Sequence, residues 1–534
     1  MTEFFERSKA IANDYIQSIV FLDDKAYQEE SSEEFKQHDF KASEVTKIFA
    51  QKSKICAVYK PYQASDLDDF KIIANKADIV ILDWQINLNA QVEIENSEED
   101  EDDEPRGVYT VPIIKNLLFD GDKLKDSLKL IVVYTGDYTI LEVITQKIFD
   151  DLLLDNFGFK INVKDCKIEL DSFRILIRAK EIEFNTDTLR EQYESKCISY
   201  DRLSEFILDE FTELTAGLLS NFALMSLTTL RKNSSKILSL FSKDMDCAYF
   251  GHKSIIPKQE EAEDLLVELF GDSIKDLLYY SQVNNCLRDN LINPWIEDKV
   301  LEERIEYKTY TYDRTHQTLK EILQSKDEVV KTRFASVITP IDAQFKNYLI
   351  QNPTMVFTNN SDKTKIEEND KNFSKLTHHK SLFIPKNIAP KLTLGTLIKS
   401  NKYEVYYICI QQKCDSVRIP KDDERKFIFI PLTISTDKFD ILTPEGIKLK
   451  KDKSSFSIRT IKFICTDVHG VILAEKNEDN KFIFKQKYNA AEDEQFEWIL
   501  DLKDLHSQRI IIDYTSQLSR VGLDESEWHR RFLS

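Results

Sequence analysis

Five polar residues that could bind a metal ion or a phosphate follow short apolar runs in the first third of the sequence. These residues are Asp23 and Asp24 after IVFL, Asp83 after IVIL, Thr135 at the end of LIVVYT, and Lys180 at the end of FRILIRAK. Three carboxylates in one place repel each other and raise one another's pKa. A hard cation removes that repulsion, and a site made of oxygen ligands suits Mg²⁺.

The same residues could carry out phosphoryl transfer, which needs positioning and charge neutralisation above all. Asp83 stands alone at the end of its run and is the candidate nucleophile, because a carboxylate can attack a phosphoryl donor. Asp23, Asp24 and Asp83 would hold the metal, with the main-chain carbonyl of Gln85 as a further ligand. Thr135 and Lys180 would each hold a phosphate oxygen after transfer.

The elements that would carry these residues are five short runs rich in β-branched residues, separated by segments of helix length. Each run is apolar on both faces, as in a strand buried between two layers of helices. Strands that alternate with helices predict a parallel sheet with right-handed crossovers, and ligands bind at the carboxyl ends of such strands. The runs are Ser18–Leu22, Ile55–Tyr59, Asp78–Leu82, Leu128–Tyr134 and Phe173–Ile177.

Composition and periodicity predict a multidomain chain of α/β, α and β zones. A 3.6-residue period marks the middle zone, where Leu218, Phe222 and Met225 lie on one stripe. Alternating strands and turn residues mark the last zone, which ends in a helix at about Asp501–Leu518. The predicted zones are a doubly wound parallel sheet of five strands at 1–185 with an acidic insert near 93–106, a helical bundle at 186–350, a linker at 351–380, and a mainly antiparallel β domain at 381–534.

Charge and hydropathy exclude several classes of protein. The net charge is −20, whereas a nucleic-acid-binding body needs a basic face. No apolar run approaches the ~20 residues of a membrane-spanning helix, and the first ten residues lack the pattern of a secretory signal. The eight cysteines have no repeated paired spacing, which is typical of reduced thiols. We therefore expect a cytoplasmic protein that binds neither nucleic acid nor membrane.

The ordered set Asp23-Asp24, Asp83-Trp84, Thr135-Gly136 and Lys180 resembles the receiver domain of two-component response regulators, over about residues 15–182. The resemblance implies that Asp83 is phosphorylated by a partner sensor histidine kinase with Mg²⁺. It also implies no enzyme activity beyond an autophosphatase type. The spacing between successive motifs is longer than in ordinary receivers.

Three positions depart from the receiver pattern. Glu181 follows Lys180 where receivers usually have proline, and Ile177 stands where a switching aromatic residue is often found. Lys164 is the alternative for the site lysine. Because Ile177 is not aromatic, we expect a signal to leave through the Thr135–Gly136 loop and a contact with the helical zone.

The whole layout looks like the large receiver-bearing regulators of Detocs-type bacterial antiphage systems, in which a sensor kinase phosphorylates receiver proteins. The stretches that carry this resemblance are 215–238, 409–419 and 519–528. It implies that the protein regulates or buffers a phosphorelay, with other receiver proteins of the same operon as partners and an oligomer as an open possibility. Two alternatives stay open: an effector enzyme switched by its receiver, and an interaction scaffold with a degenerate receiver.

Other reactive residues are interpreted as structural. Cys409 and Cys414, with His378, His379 and His469 in the same zone, lack the two close ligand pairs of most zinc sites. His252 has no nucleophile that can be assigned to it. Arg231 and Lys232 could face the acidic rim but more often such residues are solvated. Trp528 is expected to dock the tail onto the protein, or else to bind a partner groove.

Overall fold

The computed structural model describes residues 2–27, 40–88, 107–181, 186–256, 261–307, 310–337, 343–380, 388–451, 457–486 and 494–518. The chain divides into two compact units. The first unit comprises Met1–Ser242 and Leu269–Leu301, and the second comprises Lys243–Glu268 and Glu302–Ser534.

The first unit contains a sheet with helices on both faces. Its strands are β1 Ser18–Leu22, β2 Ile55–Tyr59, β3 Ile79–Leu82, β4 Phe119–Asp120, β5 Lys123–Leu124, β6 Lys129–Thr135, β7 Lys160–Asn162, β8 Lys167–Leu170, β9 Phe173–Lys180 and β10 Cys197–Ile198. The helices up to the last strand are α1 Glu3–Tyr15, α2 Ala42–Gln51, α3 Ala64–Lys76, α4 Thr110–Leu118, α5 Leu141–Asp151 and α6 Asp187–Tyr193.

The main sheet confirms the five predicted parallel strands and extends beyond them. Its order is β2-β1-β3-β6-β9-β8-β7, with β10 also paired to β9, while β4 and β5 form a separate hairpin. The first five strands run parallel, and β8 and β7 add an antiparallel hairpin. Every residue of β3, β6 and β9 is buried. This burial explains why their sequences are apolar on both faces.

Alternate residues of each strand face two separate cores. Ile19 and Phe21 of β1 join a core that includes residues of α1, α2 and the later helix α7 (Tyr200–Thr215). Val20 and Leu22 face the opposite way, into a core with residues of α3, α4 and α5. The amphipathic helices thus cover the sheet on both sides, as the doubly wound prediction requires.

Past β10 the middle of the chain is helical, as predicted, with one interruption among the described residues. After α7 come α8 Leu218–Leu240, α9 Asp246–Ile255, α10 Glu261–Tyr280, α11 Asp289–Lys299, α12 His316–Gln324, α13 Val330–Arg333 and α14 Ala343–Gln351. Leu218, Phe222 and Met225 pack against a small core around Phe4, which confirms the predicted stripe of α8. The interruption is the antiparallel hairpin of β11 Glu303–Tyr307 and β12 Tyr310–Arg314, within the zone that periodicity assigned to helices.

The C-terminal domain is an antiparallel sheet, as predicted, and its described residues form nine strands. The strands are β13 Thr396–Ser400, β14 Tyr406–Cys409, β15 Glu424–Ile434, β16 Ile441–Leu442, β17 Lys448–Lys451, β18 Arg459–Ile464, β19 Glu475–Lys476, β20 Phe482–Lys485 and β21 Gln495–Asp501. The terminal helix is α16 Asp504–Leu518.

The segment 351–380 differs from the linker that its polar composition predicts. It contains α15 Ile366–His378, whose last residue is buried. The imidazole of His378 accepts from the main-chain N–H of Leu442 at 3.1 Å. The polar outer face of this helix resembles a solvated loop in sequence, because His378 is the one residue of α15 that is buried.

Candidate functional site

The carboxyl ends of β1 and β3 bring three carboxylates together. Oxygen atoms of Asp23, Asp24 and Asp83 lie within 4.8 Å of one another. The main-chain N–H of Asp23 donates to the carbonyl of Tyr59 at 3.2 Å, and that of Asp83 donates to the carbonyl of Leu22 at 2.8 Å. The ladder hydrogen bonds therefore continue one residue past each strand and fix the backbone under the acids.

Each carboxylate has a different set of partners. Asp23 is buried, and its Oδ1 accepts from the main-chain N–H of Lys25 at 2.9 Å. Oδ2 of Asp24 accepts from the main-chain N–H of Asn87 at 2.9 Å, whereas its buried Oδ1 accepts no hydrogen bond from any residue that the structure describes. Oδ1 of Asp83 accepts from the next N–H in the chain at 3.0 Å. The cluster thus retains acceptor capacity that a cation could use.

Lys180, at the end of β9, is the cation that this structure pairs with the acids. Its Nζ lies 2.8 Å from Oδ2 of Asp23, and both side chains are buried. Burial alone would lower the pKa of Lys180, but the nearby carboxylates of Asp83 and Asp23 raise it above its ordinary value. The ammonium therefore stays charged. Lys164, the alternative, is exposed in the turn between β7 and β8.

Asp83 has a strongly raised pKa. Burial, together with the charges of Asp23 and Asp24, raises its pKa to about 8 despite the opposing effect of Lys180. Burial and the charge of Asp23 also raise the pKa of Asp24. The ionised form of Asp83 is therefore disfavoured at neutral pH unless positive charge is added. An all-oxygen cluster with a free buried oxygen on Asp24 fits Mg²⁺, with Asp23, Asp24 and Asp83 as the protein ligands.

Thr135 ends the strand that lies between β3 and β9. In the register of the sheet it is opposite Ala179, and Val133 is opposite Leu82. The Thr135 hydroxyl is buried and accepts from the main-chain N–H of Asp137 at 3.3 Å. Side chains alternate along a strand, so Thr135 lies on the α3–α5 side of the sheet and Lys180 on the α7 side.

Two residues outside the sequence motifs fix the position of the loop after β3. The hydroxyl of Thr110 lies 2.8 Å from the carbonyl oxygen of Asp83 and 3.1 Å from that of Trp84, to which it donates. The buried Trp84 ring packs so closely on Gly107 that a Cβ there would lie 2.3 Å from a ring carbon. The sequence signal that could have revealed this contact is Gly107 itself, which stands three positions before α4 and just after the acidic insert. Gln85 has an exposed side chain, and its carbonyl as a metal ligand stays a prediction.

Comparison with known protein families gives a match that covers this site. Residues 15–183 match the response receiver domain. The matched residues begin at the end of α1 and finish just after β9, so the receiver domain includes every acid of the cluster and Lys180. Comparison with curated proteins and with solved structures gives no significant match.

Two basic residues that could have faced the acidic rim lie elsewhere. Arg231 pairs with Asp78, which precedes β3 at the opposite edge of the receiver sheet, and Lys232 pairs with Asp14. Ile177, at the position considered for a switching aromatic residue, is buried in the core on the α3–α5 side. These residues support the receiver fold from outside the cluster.

The other reactive residues considered in the sequence have ordinary surroundings. Cys409 is buried in β14, Cys414 is exposed, and His252 is exposed on α9. Nε2 of His379 lies 2.6 Å from the carbonyl oxygen of Leu442. The acidic run Glu93–Glu104 and Trp528 lie outside the described residues. Within the described part of the chain, no helix is both long enough and apolar enough to cross a membrane.

Proposed function

We propose that the protein is a phosphate acceptor in a two-component-type relay, with Asp83 phosphorylated by a partner sensor histidine kinase. The observation that carries the proposal is the cluster of three carboxylates within 4.8 Å, with Lys180 bonded to one of them, inside a segment that matches a receiver domain. The retention of Asp23, Asp24 and Asp83 in one cluster favours a working site over a degenerate one.

The reaction would be a single displacement at phosphorus. A carboxylate oxygen of Asp83 attacks the phosphorus of a phosphohistidine, and the phosphorus–nitrogen bond breaks. The imidazole nitrogen leaves with the bonding electron pair and takes a proton from solvent, so that Asp83 becomes an acyl phosphate. Bound Mg²⁺ would supply neutralising charge for the ionised acids and the transferring group.

Two residues of the rim would then serve the transferred phosphate. Lys180 would exchange its bond to Asp23 for one to a phosphate oxygen, because the dianionic phosphate is the stronger acceptor. The Thr135 hydroxyl would turn from the N–H of Asp137 to donate to a second oxygen. Both side chains are buried, so water does not screen these interactions.

The direct test is phosphorylation by a small donor. The full-length protein is incubated with acetyl phosphate and Mg²⁺, and intact mass is measured. The proposal expects the mass of one phosphate on wild type and none on Asp83→Asn. Asp68→Asn, which changes an exposed acid on α3, is the matched control and should gain one phosphate. An unmodified wild type, or a fully modified Asp83→Asn, contradicts the proposal.

The cellular role that we propose is regulation or buffering of a bacterial phosphorelay, in antiphage defence. The support is the layout of a receiver followed by a helical region and a β domain, which resembles Detocs-type regulators. Transfer from an autophosphorylated sensor kinase of the same operon, followed by loss of label from the kinase, tests the relay. Phage challenge of cells that carry Asp83→Asn in place of wild type tests the defence role.

A further inference from the structure

The ammonium of Lys180 has an aromatic wall beside it, in addition to its bond with an acid. Its Nζ lies 5.3 Å from the centroid of the Phe40 ring, as well as 2.8 Å from Asp23. Phe40 is 2% exposed and Lys180 is 5% exposed. A cation over an aromatic face is attracted to the ring, most strongly when both are removed from water. Phe40 therefore helps to set where the ammonium lies.

The next residue in this wall comes from outside the receiver match. Tyr200, the first residue of α7, packs edge-on against Phe40 with ring centroids 5.9 Å apart. It also packs against Tyr134 of β6, at 6.2 Å. The hydroxyl of Tyr200 accepts from the main-chain N–H of Lys41 at 3.4 Å. The N-terminal turn of α7 is thus built into the surroundings of the site.

The charge of Lys180 also acts on the phenol of Tyr200. Burial raises the pKa of the Tyr200 phenol, and the charge of Lys180 acts against that rise. The tyrosine is therefore within the electrostatic influence of the ammonium. Tyr134 fastens the segment from the other side, since its hydroxyl donates to the carbonyl of Ile198, two residues before Tyr200.

We propose that Phe40 and Tyr200 are positioning residues for Lys180, and that α7 reads the phosphorylation of Asp83 through them. This inference rests on the proposed function. When Lys180 leaves Asp23 for a phosphate on Asp83, its charge moves relative to the Phe40 face and Tyr200. Because Tyr200 begins α7, and Leu203 and Ile207 of that helix are buried on the sheet, the change reaches the helical region.

This route differs from the one that the sequence suggested. The Thr135–Gly136 loop and Ile177 belong to the α3–α5 side of the sheet, whereas Lys180, Phe40 and Tyr200 meet on the α7 side. An aromatic residue at 177 is therefore not required for a signal to leave the site. Helix α7, which lies beyond the receiver match, supplies the aromatic group instead.

The experiment is ¹⁹F NMR on the full-length protein labelled with 3-fluorotyrosine. Tyr200→Phe assigns the Tyr200 resonance, and Tyr514→Phe assigns a buried tyrosine of the C-terminal domain as the internal control. Spectra are recorded before and after acetyl phosphate and Mg²⁺, and intact mass is measured on the same sample. We expect the Tyr200 resonance to shift on phosphorylation and the Tyr514 resonance to stay.

A rate measurement separates positioning from packing. Tyr200→Leu removes the ring, and we expect phosphorylation by acetyl phosphate to slow about fivefold, with Tyr200→Phe recovering most of the rate. Phosphate uptake with an unmoved Tyr200 resonance overturns this inference and leaves the proposed function standing. Absence of phosphate uptake by wild type overturns both. Should Tyr200→Leu fail to fold, the spectra of the labelled wild type still decide.

Discussion

Arg231 of α8 donates hydrogen bonds from both of its terminal nitrogens to Asp78, the residue just before β3. Nη2 lies 2.9 Å from Oδ1 and Nη1 lies 3.3 Å from Oδ2. The same carboxylate accepts from the main-chain N–H groups of Gln17 and Ser18. The pair joins the helical region to the amino-terminal edge of the sheet, opposite the acid cluster. These hydrogen bonds therefore attach α8 to the sheet.

Removing this arginine should loosen α8. Arg231→Ala leaves the carboxylate of Asp78 buried without its cation, and we expect a loss of about 1–2 kcal/mol in the free energy of local opening. Native-state hydrogen exchange of β3 and α8 measures it. The neighbouring Lys232→Ala, which breaks an exposed pair with Asp14, should change stability by less than about 0.5 kcal/mol. Equal effects of the two substitutions would show that the buried pair has no special role.

Lys180 should oppose metal binding while assisting phosphorylation. Lys180→Met removes a positive charge beside the acids and releases Asp23, so we expect Mg²⁺ to bind about tenfold more tightly. The same variant should accept phosphate from acetyl phosphate at least about tenfold more slowly, since a phosphate contact is lost. Isothermal titration and intact mass give the two values. Lys164→Met, in an exposed turn, should match wild type in both, and weaker Mg²⁺ binding by Lys180→Met would contradict this account.

Gly107 should be essential for the loop that follows Asp83. Its φ is +88°, and an added Cβ would lie 2.3 Å from the Trp84 ring. Gly107→Ala therefore combines backbone strain with a clash, and we expect destabilisation of about 2–4 kcal/mol with weakened Mg²⁺ binding. Gly121→Ala is the control: its φ is +62°, but nothing lies within 4 Å of the added atom. A loss of about 1 kcal/mol is expected there, so urea denaturation should separate the two variants.

The free energy of unfolding of the C-terminal domain should decrease as the pH falls from 6.5. His378 is 2% exposed, and burial next to His379 and His506 lowers its pKa to about 4. Between these pH values the unfolded chain binds a proton that the folded chain excludes, so acid favours unfolding. The loss is about 2 kcal/mol at pH 5 and is complete below pH 4.

Calorimetric unfolding at pH 7.5, 6 and 5 measures this loss. His378→Gln should flatten the decline of the unfolding midpoint, whereas His252→Gln, on the exposed surface of α9, should leave it as in wild type. A midpoint in wild type that does not change over this range would refute the assignment to His378.

The acid cluster could be predicted because strand ends obey a simple geometric rule. Asp23, Asp24, Asp83 and Lys180 each follow an apolar run, and parallel neighbours bring their carboxyl ends to one edge. The match of residues 15–183 to a receiver domain agrees with that interpretation.

The residues around the cluster were not predictable from local pattern. Phe40 and Tyr200 are 160 positions apart and meet only because α7 returns to the sheet beside α2. In the C-terminal sheet, β13 pairs with β21 across about 100 residues of sequence, and local pattern does not reveal that pairing either. The pairing of distant segments, rather than periodicity, decides where they lie.

The family match ends before the last helix that packs on the receiver sheet. Residues 15–183 contain the acids and Lys180, but β10, α7 and Tyr200 follow, and α7 covers the sheet face formed by residues such as Ile81 and Val132. Excision after residue 183 would remove α7 from one face of the sheet, and with it the Tyr200 part of the wall beside the lysine. We therefore expect residues 15–183 alone to be less stable than the same residues together with α7.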